Sequence, residues 1–300
     1  MKLSNLQHFM VCVAIWSTTW IAITFQVDSV APEVAVSWRF GIAALALLLV
    51  CRVRGIALRT TAAAQRELFA MGSLMFCLGY LLIYRAETYL VSGLVALGYS
   101  ASPLVNMLAS RLALGTPMNG RVALGGALGL AGIACVFWPE LARIEADNRV
   151  LLGAAFTAGG VLASSAGNVF ASRARRNGLN VWQIMTWAMA WGAALSAATA
   201  LARGESLALV SGASYLLALL YLALPGSILS FASYLTLIEN IGAARAGYTG
   251  VIVPIVALVI SSLFEQFRWH PLAYLGVAVA VCGNIVILGQ PKAIAAAAAR

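Results

Sequence analysis

Residues 91–110 have the sequence VSGLVALGYSASPLVNMLAS, and residues 246–264 have the sequence AGYTGVIVPIVALVISSLF. Both stretches lack charged residues, and each is long enough to cross a bilayer as a helix, which takes about 17 to 25 apolar residues. Each also carries a proline near its middle, Pro103 in the first stretch and Pro254 in the second. The shared pattern predicts two related membrane-spanning helices, one in each half of the chain.

A repeat extends outward from these prolines. They lie 151 residues apart, and the same offset relates Gly125 to Gly276 and Gly132 to Gly283. The spacing predicts two copies of one structural unit. The predicted boundaries are 1–145 for the first repeat, 146–290 for the second and 291–300 for a short cytoplasmic tail.

The rest of the sequence has the composition of a membrane protein. Hydrophobic residues make up 62% of the chain and charged residues 10%, whereas soluble domains carry about 25% charged residues. A soluble fold cannot bury that much apolar surface, because its interior grows slowly with chain length. We therefore predict ten transmembrane helices at residues 9–27, 34–52, 67–84, 91–110, 120–138, 150–172, 181–202, 212–235, 246–264 and 270–289.

The number of helices in each copy determines their relative orientation. Each copy has five helices, an odd number. The second copy therefore starts on the opposite side of the membrane and is inverted relative to the first. With both termini cytoplasmic, thirteen of the nineteen Lys and Arg residues fall on the cytoplasmic side and five on the other, as positively charged cytoplasmic loops require. The predicted fold class is an all-α membrane protein of ten transmembrane helices in two inverted five-helix repeats.

Several functional classes are disfavoured by what the sequence lacks. The net charge of +9 does not predict a nucleic-acid partner, because the basic residues form no stripe. The five cysteines have no zinc-site spacing, and no P-loop, HExxH motif or nucleophile elbow is present. We expect no catalytic residue, metal or cofactor, and partners limited to a small-molecule substrate and membrane lipid. A homodimer is left open, because the glycines of spans 5 and 10 indicate either close helix contacts or a dimer face.

Several stretches resemble the drug/metabolite transporter superfamily, in its EamA-type ten-helix branch. They are residues 16–20, Pro32, Arg39 with Phe40, residues 93–103, residues 246–254 and Glu265. The first half has Leu114, Gly115 and Thr116 at the place that pairs with Glu265, so the acidic residue is missing there. The resemblance covers about residues 5 to 290 and implies a multi-pass protein of the bacterial inner membrane. Within the family the chain is most similar to exporters of aromatic and other amino acids.

Four residues are candidates for gating or conformational change: Arg39, Pro103, Gly250 and Pro254. A proline inside a helix removes one backbone donor and leaves the carbonyl four residues earlier without its partner. Those carbonyls belong to Tyr99 and Gly250. We expect spans 4 and 9 to bend around a central cavity that these carbonyls face, and the alternative is an ordinary kink satisfied by a neighbouring hydroxyl.

Arg39 is the only charged residue well inside a predicted span. A central arginine costs about 2.5–3.5 kcal/mol on insertion scales. Two interpretations are open for it. Either the side chain extends to the outer membrane surface, or it acts as a carboxylate clamp or gate.

Polar and aromatic side chains deep in the predicted spans are the candidates for substrate binding. Hydroxyl and amide groups at three- or four-residue spacing share one helix face, and aromatic rings away from the span ends are placed to line a cavity for a flat apolar side chain. The alternative is that the small polar residues form interhelical contacts. The candidates are Trp16, Trp20, Tyr80, Tyr99, Ser102, Asn106, Ser164, Asn168, Trp187, Ser230, Tyr234 and Tyr248.

These features favour a secondary transporter that exports aromatic or other hydrophobic amino acids and related metabolites by alternating access. The same fold carrying a nucleotide sugar would need several inward basic residues. An organic cation would need an embedded carboxylate. A membrane enzyme is the third alternative, which the missing catalytic constellation disfavours.

Overall fold

The computed structural model describes residues 3–115, 120–142, 149–241 and 246–288, and the regular secondary structure of these residues is helical throughout. The helices are α1 (Asn5–Val27), α2 (Pro32–Val53), α3 (Ala62–Met71), α4 (Tyr80–Glu87), α5 (Ser92–Gly98), α6 (Ser102–Leu114), α7 (Gly120–Ala142), α8 (Arg149–Arg176), α9 (Val181–Ala202), α10 (Ala213–Ala223), α11 (Ser230–Ile241), α12 (Thr249–Phe264) and α13 (Pro271–Leu288). Their outer limits follow the predicted spans to within a few residues, because charged and glycine-containing connections separate the apolar runs. Thr116 and the predicted tail at 291–300 lie outside the described residues.

Seven helical stretches among the described residues are long and apolar enough to cross a membrane. Thr249–Phe264 and Pro271–Ile287 form shorter apolar helices. An all-helical, multi-pass membrane fold is therefore confirmed. The count of ten spans and the side on which each terminus lies stay predictions.

Three of the predicted spans change helix type partway along. A π-helical segment, Gly72–Gly79, joins α3 to α4, and a second one, Pro225–Leu229, lies between α10 and α11. A 3₁₀ turn, Tyr99–Ala101, joins α5 to α6. At the repeat offset, residues 72–79 correspond to residues 223–230. The two π segments therefore occupy matching positions in the two halves of the chain, which the sequence pattern did not predict.

The chain folds into two compact units, and each unit draws helices from both halves of the sequence. Unit 1 comprises Met1–Ile21, Tyr89–Ala155 and Ser230–Arg300, and unit 2 comprises Ala22–Thr88 and Phe156–Leu229. Each unit thus combines segments of both sequence repeats. The repeat boundaries themselves stay a prediction.

Within unit 1, helices α7 and α13 pack at close range through glycine. A Cβ atom placed on Gly125 would clash with the carbonyl oxygen of Gly283, and one placed on Gly132 would clash with that of Gly276. The absence of side chains at these positions lets the two backbones touch. Because the residue numbers rise along one helix as they fall along the other, the two helices run antiparallel.

These glycines are the ones that the repeat relates, and they pair in exchanged order. Gly125 matches Gly276 in sequence but contacts Gly283, whereas Gly132 matches Gly283 but contacts Gly276. Exchanged contacts of this kind are what a two-fold axis between equivalent elements produces. The close-contact interpretation of the glycines is therefore confirmed, and the homodimer stays untested.

Within unit 2, α2 packs along α9, and these helices are also related by the repeat. The first π segment packs against α9 as well. A Cβ on Gly72 would lie 2.6 Å from the carbonyl oxygen of Ala188, and a Cβ on Gly192 would lie 2.5 Å from the Cβ of Phe76. Glycine on both sides allows this approach, and it fixes the position of Phe76 beside α2.

Candidate functional site

Arg39 is the eighth residue of α2 and lies about 10 Å from the start of that helix, at 1.5 Å per residue. Its side chain is only 3% exposed, so it does not extend to the surface. The guanidinium carbon lies 4.6 Å from the centroid of the Tyr80 ring and 5.3 Å from that of Phe40. The aromatic rings therefore stabilise the cation inside unit 2 by cation–π attraction.

The polar atoms of Arg39 are largely unmatched. Its Nε and Nη1 atoms are buried and have no hydrogen-bond partner within the described part of the chain. No carboxylate among those residues forms an ion pair with it. Burying a charge without a counter-ion is costly.

A second polar pair lies in the same unit. The hydroxyl of Tyr84 donates a 2.7 Å hydrogen bond to Oε1 of Gln26, and both side chains are fully buried. Tyr84 also forms a side-chain hydrogen bond with Arg39, and it interacts electrostatically with Arg39 and Glu87. The Nε2 atom of Gln26 has no hydrogen-bond acceptor among the residues described. Gln26 thus adds another donor that is not used. The Arg39 site is defined here as Arg39, Tyr80, Tyr84 and Gln26.

Three aromatic rings form one wall of this site. Phe40 meets Phe76 at 4.9 Å and Tyr80 at 4.6 Å between ring centroids, both in edge-to-face geometry. Phe76 and Tyr80 are nearly parallel at 6.4 Å. Offset and edge-to-face pairs of this kind are the favoured aromatic geometries. Phe40 and Phe76 are fully buried, and the Arg39 guanidinium lies over the rings of Phe40 and Tyr80.

Two other arginines of unit 2, Arg85 and Arg203, have an acidic partner. Glu33, in the first turn of α2, accepts a 3.3 Å contact from Arg85 and a 3.7 Å contact from Arg203. Both arginines are substantially exposed, whereas Glu33 is buried. The contrast within one unit shows that Arg39 differs from these two arginines in lacking a carboxylate partner among the described residues.

Unit 1 contains a charged group whose hydrogen-bonding capacity is filled. Oε2 of Glu265 accepts bonds of 2.5 Å from the hydroxyls of both Ser92 and Ser261, and Oε1 accepts a 3.0 Å bond from the backbone N–H of Ser92. The Ser261 hydroxyl also accepts from the N–H of Gly93 at 2.7 Å. Ser92, Ser261 and Glu265 are called the Glu265 latch, and they satisfy the first N–H groups of α5.

Aromatic contacts in unit 1 join several predicted substrate residues. Trp16 lies 5.2 Å from Tyr234 and 5.4 Å from Phe231, and Trp20 lies 5.3 Å from Tyr99, between ring centroids. These rings are half-buried. Four predicted substrate residues therefore form two ring pairs, Trp16 with Tyr234 and Trp20 with Tyr99.

The two prolines behave differently from each other. Pro103 stands in the first turn of α6, after the 3₁₀ turn, and the carbonyl of Tyr99 accepts the N–H of Ser102. The expectation that Pro103 leaves the Tyr99 carbonyl unpaired was therefore wrong, since a new helix starts at the proline. Pro254 does lie inside α12, and it is buried. The preceding carbonyl, of Val253, accepts a 3.2 Å bond from the Ser17 hydroxyl.

The structure divides the predicted site residues between the two units. Unit 1 holds Trp16, Trp20, Tyr99, Ser102, Pro103, Asn106, Ser230, Tyr234, Tyr248, Gly250 and Pro254, and unit 2 holds Arg39, Tyr80, Ser164, Asn168 and Trp187. Their role in binding or gating stays a prediction.

Individual positions differ in how well they suit a site. Trp187 donates its indole N–H to the carbonyl of Leu58 at 2.9 Å, which ties α9 to the segment after α2. Ser164 packs against Gly79 of the first π segment. Tyr248 is 36% exposed, and Gly250 is exposed with open space around its Cα. Ser230 is fully buried.

Gln26 was missed as a site residue. It is the one amide in the first predicted span, and this was the available signal. A polar residue near a span end is ordinary, however, and only the contact with Tyr84 distinguishes it. Phe76 and Tyr84 each lie one turn from Tyr80 on the same span, so their spacing did indicate a common face.

A cavity of about 640 Å³ lies within unit 1, near the start of α5 and of α13. None of the predicted site residues lines it. Both apolar and polar side chains line it, and they belong to Tyr89, Leu90, Val91, Leu94, Val150, Gln266, Phe267, Arg268, His270, Pro271 and Leu272. No group of three or more His, Cys, Asp or Glu side chains is arranged to hold a metal in any part of the chain that the structure describes.

Comparison with known proteins agrees with this architecture. The EamA-like transporter family matches the chain twice, at residues 6–138 and 151–289. The uncharacterized inner membrane transporter YedA of Escherichia coli K12 is 29% identical over 250 residues, which cover 83% of this chain and 78% of that protein. PagO of Salmonella typhimurium is 31% identical over 106 residues, and the chain spans only 35% of its length.

A solved crystal structure has the same fold. It is 18% identical and aligns with a TM-score of 0.67 over 94% of this chain and 95% of that one. The double match to the family agrees with the repeat read from the prolines and glycines, and the resemblance to the EamA-type branch is confirmed. The chain belongs to the EamA-like transporter family.

Proposed function

We propose that this protein is a secondary transporter of the bacterial inner membrane that exports aromatic or other hydrophobic amino acids and related small metabolites by alternating access. Membership of the EamA-like transporter family supports transport. The similarity to YedA, an inner membrane transporter, supports the location. The cargo and the direction of transport are proposed from the residues.

The observation that carries the transport proposal is the matched pair of π segments, Gly72–Gly79 and Pro225–Leu229. Within a bilayer every backbone polar group needs an internal partner, so departures from α-helix are costly there. Short π segments inside helices commonly mark functional positions. Distortion at the same place in two inverted copies supports a mechanism in which each copy bends in turn.

The proposed cargo follows from the walls of the candidate site. Phe40, Phe76 and Tyr80 present apolar and aromatic surface, while Arg39 and Gln26 present hydrogen-bond donors. Ligand sites are typically apolar with a few polar groups that fix orientation. A zwitterion with a bulky side chain matches this combination. A permanent cation is disfavoured, because it would meet the positive charge of Arg39.

Counterflow in proteoliposomes tests the proposal. Purified protein is reconstituted into liposomes loaded with unlabelled L-phenylalanine or L-leucine, and labelled amino acid is supplied outside. We expect labelled amino acid to accumulate transiently inside in a protein-dependent manner. Liposomes without protein provide the baseline. Correctly folded protein that moves no aromatic or aliphatic amino acid above this baseline would refute the proposed cargo.

A further inference from the structure

We infer that the Arg39 site binds the carboxylate group of the transported solute. The inference rests on the proposed function and makes it more specific, because it assigns one chemical group of the cargo to one side chain. The starting point is a guanidinium that is 3% exposed and has two nitrogens without an acceptor among the described residues.

The rings near Arg39 leave its hydrogen-bonding edge available. Cation–π contact uses the face of the guanidinium or the ring and consumes no N–H group. Tyr80 and Phe40 therefore offset part of the cost of burying the charge without supplying an acceptor. The N–H groups lie in the guanidinium plane, and planar carboxylates bind along that plane.

The neighbouring groups favour a carboxylate over a purely neutral ligand. Gln26 contributes a further buried donor, Nε2, and its Oε1 is already occupied by the Tyr84 hydroxyl. Glu87, at the end of α4, also interacts electrostatically with Tyr84. The buried nitrogens of Arg39 and Gln26 give the site three donor atoms that have no acceptor among the described residues.

The adjacent ring wall gives the cargo a second recognisable part. Phe40 contacts both Phe76 and Tyr80, and Arg39 lies over Phe40 and Tyr80. A solute with a carboxylate a few bonds from an aromatic or branched apolar group would engage both surfaces at once. This defines the substrate class as hydrophobic carboxylates, with or without an amino group.

Three probes separate the charged groups of such a solute. L-Phenylalanine carries both charges, 3-phenylpropionate keeps only the carboxylate, and phenethylamine keeps only the ammonium. We expect purified wild-type protein, measured by isothermal titration calorimetry, to bind the two carboxylates at least about tenfold more tightly than the amine, as charge-assisted hydrogen bonds imply. Equal or tighter binding of phenethylamine would overturn the inference.

Variants at two arginines provide the matched comparison. Arg39→Met should weaken binding of both carboxylates at least about tenfold and leave phenethylamine unaffected or improved. Arg39→Lys keeps the charge and should retain part of the affinity. Arg54→Met is the control, since Arg54 also lies over a ring, that of Trp182 at 5.1 Å, but is exposed. Unchanged carboxylate affinity in Arg39→Met would contradict the assignment.

Failure of this inference is distinguishable from failure of the proposed transport. If L-phenylalanine methyl ester shows counterflow as strong as L-phenylalanine, the carboxylate assignment is wrong and transport stands. If the carboxylates bind through Arg39 but no amino acid is moved, the assignment stands and transport is wrong.

Discussion

The Glu265 latch of unit 1 and the Arg39 site of unit 2 each contain a charged side chain held within the protein, yet their surroundings are opposite. The carboxylate of Glu265 accepts hydrogen bonds from two hydroxyls and a backbone N–H. Arg39 has rings beside it and two buried nitrogens without acceptors among the described residues. We interpret the satisfied charge of Glu265 as part of the fold, and we propose a ligand for the unsatisfied charge of Arg39.

The comparison separates stability from binding. Loss of Glu265 leaves the N–H of Ser92 and the hydroxyls of Ser92 and Ser261 without their acceptor, so the cost falls on folding. We expect loss of Arg39 to cost folding little, because no carboxylate among the described residues forms an ion pair with it, and to weaken binding of the proposed carboxylate ligand. Substitutions at the two sites should therefore affect different measurements.

The largest stability effect is expected for Glu265→Ala. The variant leaves the hydroxyls of Ser92 and Ser261 and the N–H of Ser92 without their shared acceptor, and we expect a loss of about 3 kcal/mol. Unfolding by SDS titration in bicelles measures it. Glu205→Ala, at an exposed position in unit 2, should change stability by less than about 0.5 kcal/mol. If both substitutions lowered the stability equally, the proposed structural role of the Glu265 latch would be contradicted.

A somewhat smaller effect is expected for Gly132→Ala. The added Cβ would meet Gly276 and Ala280 on α13, and overpacking of this kind costs about 1–3 kcal/mol. Gly129→Ala is the matched control on the same helix, because a Cβ atom there would meet no other atom within 4 Å. We expect the control to be neutral in the same SDS titration. If both alanines were tolerated equally, the close approach of α7 and α13 would be in doubt.

The sequence predicted the positions of the helices, and its glycines indicated where helices could approach closely. Apolar runs broken by charged connections located the helices, since hydrocarbon admits few charges. The glycines of spans 5 and 10 indicated either close helix contacts or a dimer face, and the structure shows close contacts among Gly125, Gly132, Gly276 and Gly283. Their exchanged pairing became visible only once the helices were packed against each other.

Other features needed the fold. Gly72–Gly79 is an ordinary apolar run in sequence, and its pattern predicted neither the π geometry nor the close contact with α9. The Tyr99 carbonyl was predicted to lose its partner within the helix and to need one from elsewhere, yet Pro103 starts a helix and a 3₁₀ bond satisfies that carbonyl. Whether Arg39 reaches the surface depends on the rings and helices around it. Position along a helix does not encode these contacts.

The smallest of the stability effects at the latch is expected for Ser261→Ala. The Ser261 hydroxyl links the N–H of Gly93 to Glu265, and we expect its removal to cost about 1 kcal/mol. Ser262→Ala is the control, since that hydroxyl donates only to the carbonyl of Val259 in its own helix. A larger loss for Ser262→Ala than for Ser261→Ala would contradict the hydrogen-bond assignment.

One measurement tests the contrast between the two charges most directly, and it is the melting temperature of wild-type protein and Arg39→Met with and without saturating L-phenylalanine. We expect Arg39→Met to melt at or above the wild-type temperature, because a buried unpaired charge is removed. L-Phenylalanine should raise the melting temperature of the wild type and not that of the variant. Marked destabilisation of Arg39→Met, or equal stabilisation of both proteins by L-phenylalanine, would contradict a ligand-binding role for Arg39.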